Sequence, residues 1–141
     1  MRKHPVRLEN AGISPARYRE LKDMCQQYPE YMAKIRRVRA GIVDKPRRKA
    51  GAWTQPDPTG NAAASIADEV AWMEARVKLI DMCARRAAPP AVARAIIKSA
   101  TEGWSYDRLR QSKAYRPPCG FNQFYEAKLT FYIILDMEAR S

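Results

Sequence analysis

Histidine is nearly absent from this chain, and cysteine is scarce. The single histidine, His4, lies in the basic N-terminal segment, and Cys25, Cys83 and Cys119 are far apart. A structural zinc site needs clustered ligands at short spacing, and no Cys-x-x-Cys pair occurs, so we expect no metal site. The odd number of dispersed cysteines argues against a disulfide framework. We expect Cys25 and Cys83 to be small core residues.

The usual signatures of catalysis are also missing. Acid–base chemistry commonly uses a histidine or a pair of carboxylates in a dry pocket, and the acidic pairs here flank apolar helical segments. No Gly-rich phosphate loop of the GxxxxGK[ST] type is present. We therefore predict that the protein is not an enzyme and uses no cofactor.

Long apolar runs are absent as well. No stretch of about twenty apolar residues could span a bilayer, and the N-terminus MRKHPVRLENAG lacks the apolar segment of a signal peptide. These absences predict a soluble, intracellular protein with no membrane partner.

Positive charge is abundant and unevenly distributed. The formal net charge is +11 and the pI is near 9.9. Residues 1–50 carry a net charge of +9 and residues 85–128 carry +6, whereas residues 51–84 are acidic. Nucleic acid is the usual partner of such a surface; an anionic membrane, an acidic protein or mere solvation of basic helices are the alternatives.

Apolar residues recur at helical spacing, and no alternating β pattern is present, so we predict an all-α fold. We expect a basic arm and a helical hairpin in residues 1–43, beginning at Ser14-Pro15. Pro29 either separates two helices or kinks one, and a break at Tyr28-Pro29 is favoured. A basic linker rich in proline and glycine follows at 44–60.

The remaining residues, 61–141, are predicted to form a helical domain. We expect Asn61 to cap a long middle helix that ends near Ala87, with an apolar stripe from Ile66 to Ala84 that suits a core or an oligomer interface. Pro89-Pro90 should end this helix and start another that runs to Gly103.

A helix-turn-helix is predicted at about 105–137. Ser105 is a good N-cap for a short helix, and Pro117-Pro118 stiffens a basic connector after it. A longer helix should begin after Gly120, with Phe124 and Phe131 on its buried face. This layout is typical of modules that bind duplex DNA. The aromatic residues on this helix are better explained by packing than by stacking on bases.

The same stretch resembles a known family. Its motif residues are Tyr106, Leu109, Pro118, Cys119, Phe124, Tyr125 and Phe131. They resemble the C-terminal part of the phage-encoded RinA/ArpU-type transcription regulators, whose C-terminal half is similar to the promoter-binding region 4 of sigma factors. The family usually has a serine after the cysteine and several basic residues after the Phe-Tyr pair. This chain instead has Gly120 and one lysine, Lys128.

Candidate DNA-binding residues fall into two groups. Phosphate contacts fix position and base contacts read sequence. For phosphates the module offers Arg108, Arg110, Lys113, Arg116 and Lys128, the last projecting near the buried face. For bases it offers Asn122, Gln123 and Glu126, although Asn122 and Gln123 are also ordinary first-turn polar residues. Additional phosphate contacts could come from Arg36, Arg37, Arg39, Lys45, Arg47, Arg48 and Lys49.

The first hypothesis is therefore a phage or prophage transcription regulator that binds duplex DNA. The resemblance implies that it is located in the cytoplasm of a bacterial host. RNA polymerase and a second copy of the chain are further possible partners. A small terminase subunit, which adapts DNA for packaging, is the first alternative. A protein-interaction adaptor that does not bind DNA is the second.

Overall fold

The computed structural model describes residues 12–41 and 58–140, with side chains described from residue 65 onward in the second range. These residues form six helices and no strand, which confirms the all-α prediction. The basic arm and most of the linker, with Lys45, Arg47, Arg48 and Lys49, lie outside the described residues. The helices are α1 (Pro15–Gln26), α2 (Tyr28–Arg39), α3 (Pro58–Ala87), α4 (Pro90–Glu102), α5 (Tyr106–Arg110) and α6 (Phe121–Arg140).

Most helix ends follow from local chemistry. The Ser14 hydroxyl accepts a hydrogen bond from the Arg17 amide at 3.1 Å and so caps α1. Ser105 caps α5 in the same way through the Arg108 amide, at 3.2 Å. Gly103, with φ of 74°, ends α4 in a left-handed conformation that glycine adopts without steric cost.

One helix boundary differs from the prediction, and another decides between two predicted alternatives. Helix α3 begins at Pro58, three residues before Asn61, so Asn61 lies inside the helix and the prediction of an Asn61 cap was wrong. Proline suits the first turn of a helix because it has no amide hydrogen to satisfy there. Helices α1 and α2 are separate, with Gln27 alone between them and Pro29 in the first turn of α2. Their arrangement as a hairpin stays a prediction.

Contacts divide the described residues into two compact units, 12–29 with 78–140 and 30–41 with 58–77. The segment boundaries predicted from composition lie at residues 43 and 61. The two compact units instead separate between residues 29 and 30 and between residues 77 and 78, inside predicted segments. Composition marks where turn-forming residues accumulate, but it does not tell which helices share a core.

In the first unit, α4 is the helix that the others contact: α1, α5 and α6 all pack against it. Seven of its thirteen residues are buried, so its apolar surface extends well beyond one stripe. The core takes in Leu21 and Cys25 from α1, Leu109 from α5, and Phe124 and Phe131 from α6, each fully buried. Core packing of Phe124 and Phe131 is as the sequence predicted.

In the second unit, the apolar stripe of α3 is covered in part by α2. Ile35, Met73 and Val77 are buried, and the rings of Tyr31 and Trp72 meet edge to face at 5.5 Å. Trp72 nevertheless remains half exposed. Among the described helices, none is both long enough and apolar enough for a membrane span.

A buried carboxylate ties α1 to α6. Asp136 Oδ1 accepts hydrogen bonds from Arg17 Nε at 2.6 Å and from Arg140 Nε at 3.0 Å. Burial by itself raises the pKa of Asp136, but the two arginine hydrogen bonds outweigh that effect and hold the pKa below its usual value of 3.8. The ionised form of Asp136 therefore stabilises the fold.

We predict that Asp136→Asn lowers the free energy of unfolding at pH 7 by about 1–3 kcal/mol, since each arginine loses a charged acceptor. A carboxyl with a lowered pKa stabilises the fold above its unfolded pKa, and that contribution is lost as the pH falls through the folded pKa. The difference between variant and wild type should therefore shrink below about pH 4. Urea melts across that range measure it.

Glu20→Gln is the matched control, because Glu20 is an exposed partner of the same arginine, at 3.8 Å. Exposed pairs contribute about 0–1 kcal/mol. Equal effects of the two substitutions would contradict the assigned role of Asp136.

Candidate nucleic-acid interface

Helix α5 and the connector after it, residues 111–120, are anchored to the core at both ends. Tyr106 and Leu109 are buried on one side of α5. The Tyr106 hydroxyl donates a hydrogen bond to the backbone carbonyl of Cys119 at 2.7 Å, which holds the end of the connector against the start of α5. The Tyr106 ring also contacts Phe121 and Phe124 of α6. These contacts attach both ends of the segment to the core despite its few regular residues.

An aromatic and cationic cluster holds the middle of this segment. The rings of Trp104 and Tyr115 meet edge to face at 5.7 Å. Lys98 Nζ lies 4.8 Å from the Trp104 ring centre and 4.7 Å from that of Tyr115, and it pairs with Glu102 at 2.7 Å. The Arg108 guanidinium lies 4.0 Å from the Trp104 ring centre, a distance typical of a cation–π contact.

Four cations project from this anchored segment: Arg108, Arg110, Lys113 and Arg116, which we call the basic surface. All four are exposed. In the part of the chain that the structure describes, none of the four forms a salt bridge. By contrast, Arg17, Lys34, Arg39, Arg86, Lys98 and Arg140 are each paired with an acid. The basic surface is therefore a concentration of uncompensated positive charge.

Two of these side chains are held by the protein itself. Arg116 Nε donates to the backbone carbonyl of Arg110 at 2.8 Å, which places a cation at the C-terminal end of α5, where the helix dipole favours it. Arg108 is held by its contact with Trp104. Side chains held in this way lose less conformational entropy when they bind an anion.

The predicted base-contacting residues lie on α6. Asn122, Gln123 and Glu126 are all exposed in its first turns. Asn122 and Glu126 lie on the side away from buried Phe124, and Gln123 lies on the flank. The sequence from Phe121 to Ala127 contains no cation, and Glu126 adds a negative charge. They are accessible, but they lie on a neutral to acidic stretch of helix.

Lys128 does not share the exposed face of α6. Its Nζ donates to Ser99 Oγ on α4 at 2.9 Å, and the Ser99 hydroxyl donates to the Trp104 carbonyl at 2.7 Å. The pKa of Lys128 is lowered to about 8, mainly by burial and also by the nearby charge of Lys22, while Cys25 opposes the change. The sequence offered Lys128 as a phosphate contact, whereas the structure assigns its ammonium to an internal hydrogen bond.

We predict that Lys128→Met is more stable than wild type at pH 7, because the substitution removes a charge that is costly to bury. The stability advantage of Lys128→Met should shrink as the pH rises from about 8 to 10.5. Over this range Lys128 has lost its proton in the folded protein but keeps it in the unfolded chain, so the wild type gains stability. The shrinkage should reach about 2–3 kcal/mol. Chemical melts of both proteins over that range test it. A difference that stays constant with pH would contradict the burial of a charged Lys128.

The basic residues predicted on α2 are differently placed. Arg39 forms a salt bridge with Glu74, and Lys34 forms one with Glu69, both on α3. Arg36 Nε donates to the Met32 carbonyl within α2 at 3.3 Å, and Arg37 also has an interaction partner. Acidic residues of α3 thus offset part of the positive charge of α2, which sets this face apart from the basic surface.

Sequence reasoning missed the anchoring residues Trp104 and Lys98. A usable signal existed for one contact, since Trp104 immediately precedes the N-cap Ser105 and Arg108 lies in the first turn of α5, where the two side chains can meet. The approach of Lys98 to both rings depends on the return of the connector to α4, and no local pattern indicates it. Comparison with protein-family models, with curated proteins and with solved structures finds no match for this chain.

Proposed function

We propose that this protein binds duplex DNA through the basic surface and acts as a transcription regulator of the phage-encoded type that its C-terminal motif resembles. The observation that carries the proposal is a set of exposed cations, on a segment anchored to the core, that form no salt bridge within the described residues. Binding without bond chemistry is the mechanism.

Electrostatics supports a polyanionic partner. DNA releases condensed counterions when cationic side chains neutralise its phosphates, and this release provides much of the affinity of such proteins. Arg108, Arg110, Lys113 and Arg116 lie within nine residues, and Asp107 is the one acid among residues 106–120. The segment therefore presents several phosphate-binding groups with little internal neutralisation.

Anchoring supports a defined binding position. The Tyr106–Cys119 hydrogen bond and the Trp104–Tyr115 contact hold the cations relative to the core of the first unit. Phosphate contacts from a preorganised surface set the orientation of a protein on the duplex, which a flexible basic tail does not do.

We predict that the double variant Arg110→Gln with Lys113→Gln binds duplex DNA more weakly and with less dependence on salt. Each phosphate contact contributes about 0.9 to the slope of log K against log salt, so the slope should flatten by up to about 2. Glutamine retains length and polarity, and the exposure of both positions predicts little loss of stability. Fluorescence anisotropy with a labelled random duplex at several salt concentrations measures the slope.

The matched control is the double variant Arg19→Gln with Arg94→Gln. Both residues are exposed cations, on α1 and α4, and their replacement removes the same net charge. The proposal expects the control slope to stay near wild type. Equal slopes in the two double variants would mean that the basic surface has no special role. Absence of wild-type affinity at low salt would favour the protein-interaction adaptor, and ring-shaped oligomers would favour the terminase subunit.

A further inference from the structure

The helix that follows the tight turn is α5, and α6 follows a much longer connection. Gly103, Trp104 and Ser105 alone separate α4 from α5, with Gly103 in the left-handed conformation. Ten residues separate α5 from α6. The turn of a helix-turn-helix has about three or four residues and often contains glycine. The α4–α5 pair fits that description, and the α5–α6 pair does not.

The outward face of α5 carries side chains suited to base edges. Tyr106 and Leu109 define the buried side, so helical geometry directs Asp107 and Arg108 outward. Gln111, the C-cap residue immediately after α5, keeps a right-handed helical backbone and is exposed on the same side. Arginine suits guanine, glutamine suits adenine, and a carboxylate accepts from the cytosine amino group. The remaining cations of the basic surface lie immediately beside this face in the sequence.

Charge distinguishes α5 from α6. A reading helix has to approach the duplex closely, and flanking cations have to contact the phosphates on either side of the groove. Helix α5 carries one exposed acid, Asp107, and is accompanied by the cations Arg110, Lys113 and Arg116. The exposed start of α6 carries Glu126, while Lys128 is held by Ser99. Moreover, the Arg116 side chain hydrogen-bonds to the end of α5.

We propose that α5 together with its C-cap residue Gln111, rather than α6, reads the DNA sequence, with Gln111 as the central base-contacting residue. This inference rests on the proposed function. Five helical residues extend about 7.5 Å, so the selective contacts should cover a short stretch of about two or three base pairs.

The experiment selects preferred sequences for the full chain from a duplex library with a randomised central segment. It then compares wild type with Gln111→Ala, Gln111→Glu and the double variant Asn122→Ala with Gln123→Ala. All the substituted side chains are exposed. Melting curves that match the wild-type curve will show that each variant is folded. Affinity for random duplex at one fixed salt concentration is measured in parallel.

We expect Gln111→Ala to reduce the preference for the selected site by about 5- to 150-fold and to leave random-duplex affinity near wild type. Gln111→Glu should change the preferred base at one position from adenine toward cytosine, an effect that a purely structural role would not produce. The double variant on α6 should retain wild-type preference.

Three outcomes would overturn the inference. Loss of preference in the Asn122/Gln123 variant with retention in Gln111→Ala would assign reading to α6. Salt-dependent binding without any preferred sequence would leave the proposed function intact and would show that α5 does not read the DNA sequence. Failure of wild type to bind duplex DNA at low salt would overturn the function and the inference together.

Discussion

The burial of α4 against α1, α5 and α6 is the constraint on which the rest of the first unit depends. Because α4 is covered by three helices, its buried residues include small and polar side chains as well as Val92 and Ile96. Ser99 and Thr101 satisfy their hydroxyls within the unit, through the carbonyls of Trp104 and Ile97. The C-terminal end of α4 then sets where Gly103 turns the chain and where α5 begins.

That arrangement turns a short segment into a defined surface. Five residues of helix would have little stability in isolation, since helix nucleation is costly. Here α5 gains stability from the burial of Tyr106 and Leu109 and from the hydroxyl bond that closes the connector. The same contacts leave four cations on the outside. Elsewhere in the described residues several cations are paired with acids, so charge and anchoring together distinguish this surface.

The sequence predicted what local chemistry determines. Ser14, Ser105 and Gly103 act at helix ends through their own backbone and side-chain geometry, and the buried spacing of Phe124 and Phe131 follows from helical periodicity. It also predicted the short helix, basic connector and longer helix in the correct order.

Contacts between helices determine the features that the sequence did not predict. Lys128 was expected to reach outward because lysine normally keeps its charge in water, but the Ser99 hydroxyl on α4 provides an internal acceptor. The grouping of α1 with α4 and α6 depends on which surface buries Leu21 and Cys25, and composition alone does not indicate it. The three-residue turn before α5 is visible in the sequence, but the ten-residue length of the next connection depends on the end of α5 at Arg110, which no local pattern in the sequence indicates.

The most direct test is a titration of the isotopically labelled full chain with duplex DNA, followed by amide resonances in two-dimensional NMR. The account predicts that the largest shift changes fall in residues 103–116, with smaller changes in the first turns of α6. Changes confined to α2 or α6, or no change at low salt, would contradict the assignment of DNA binding to the basic surface.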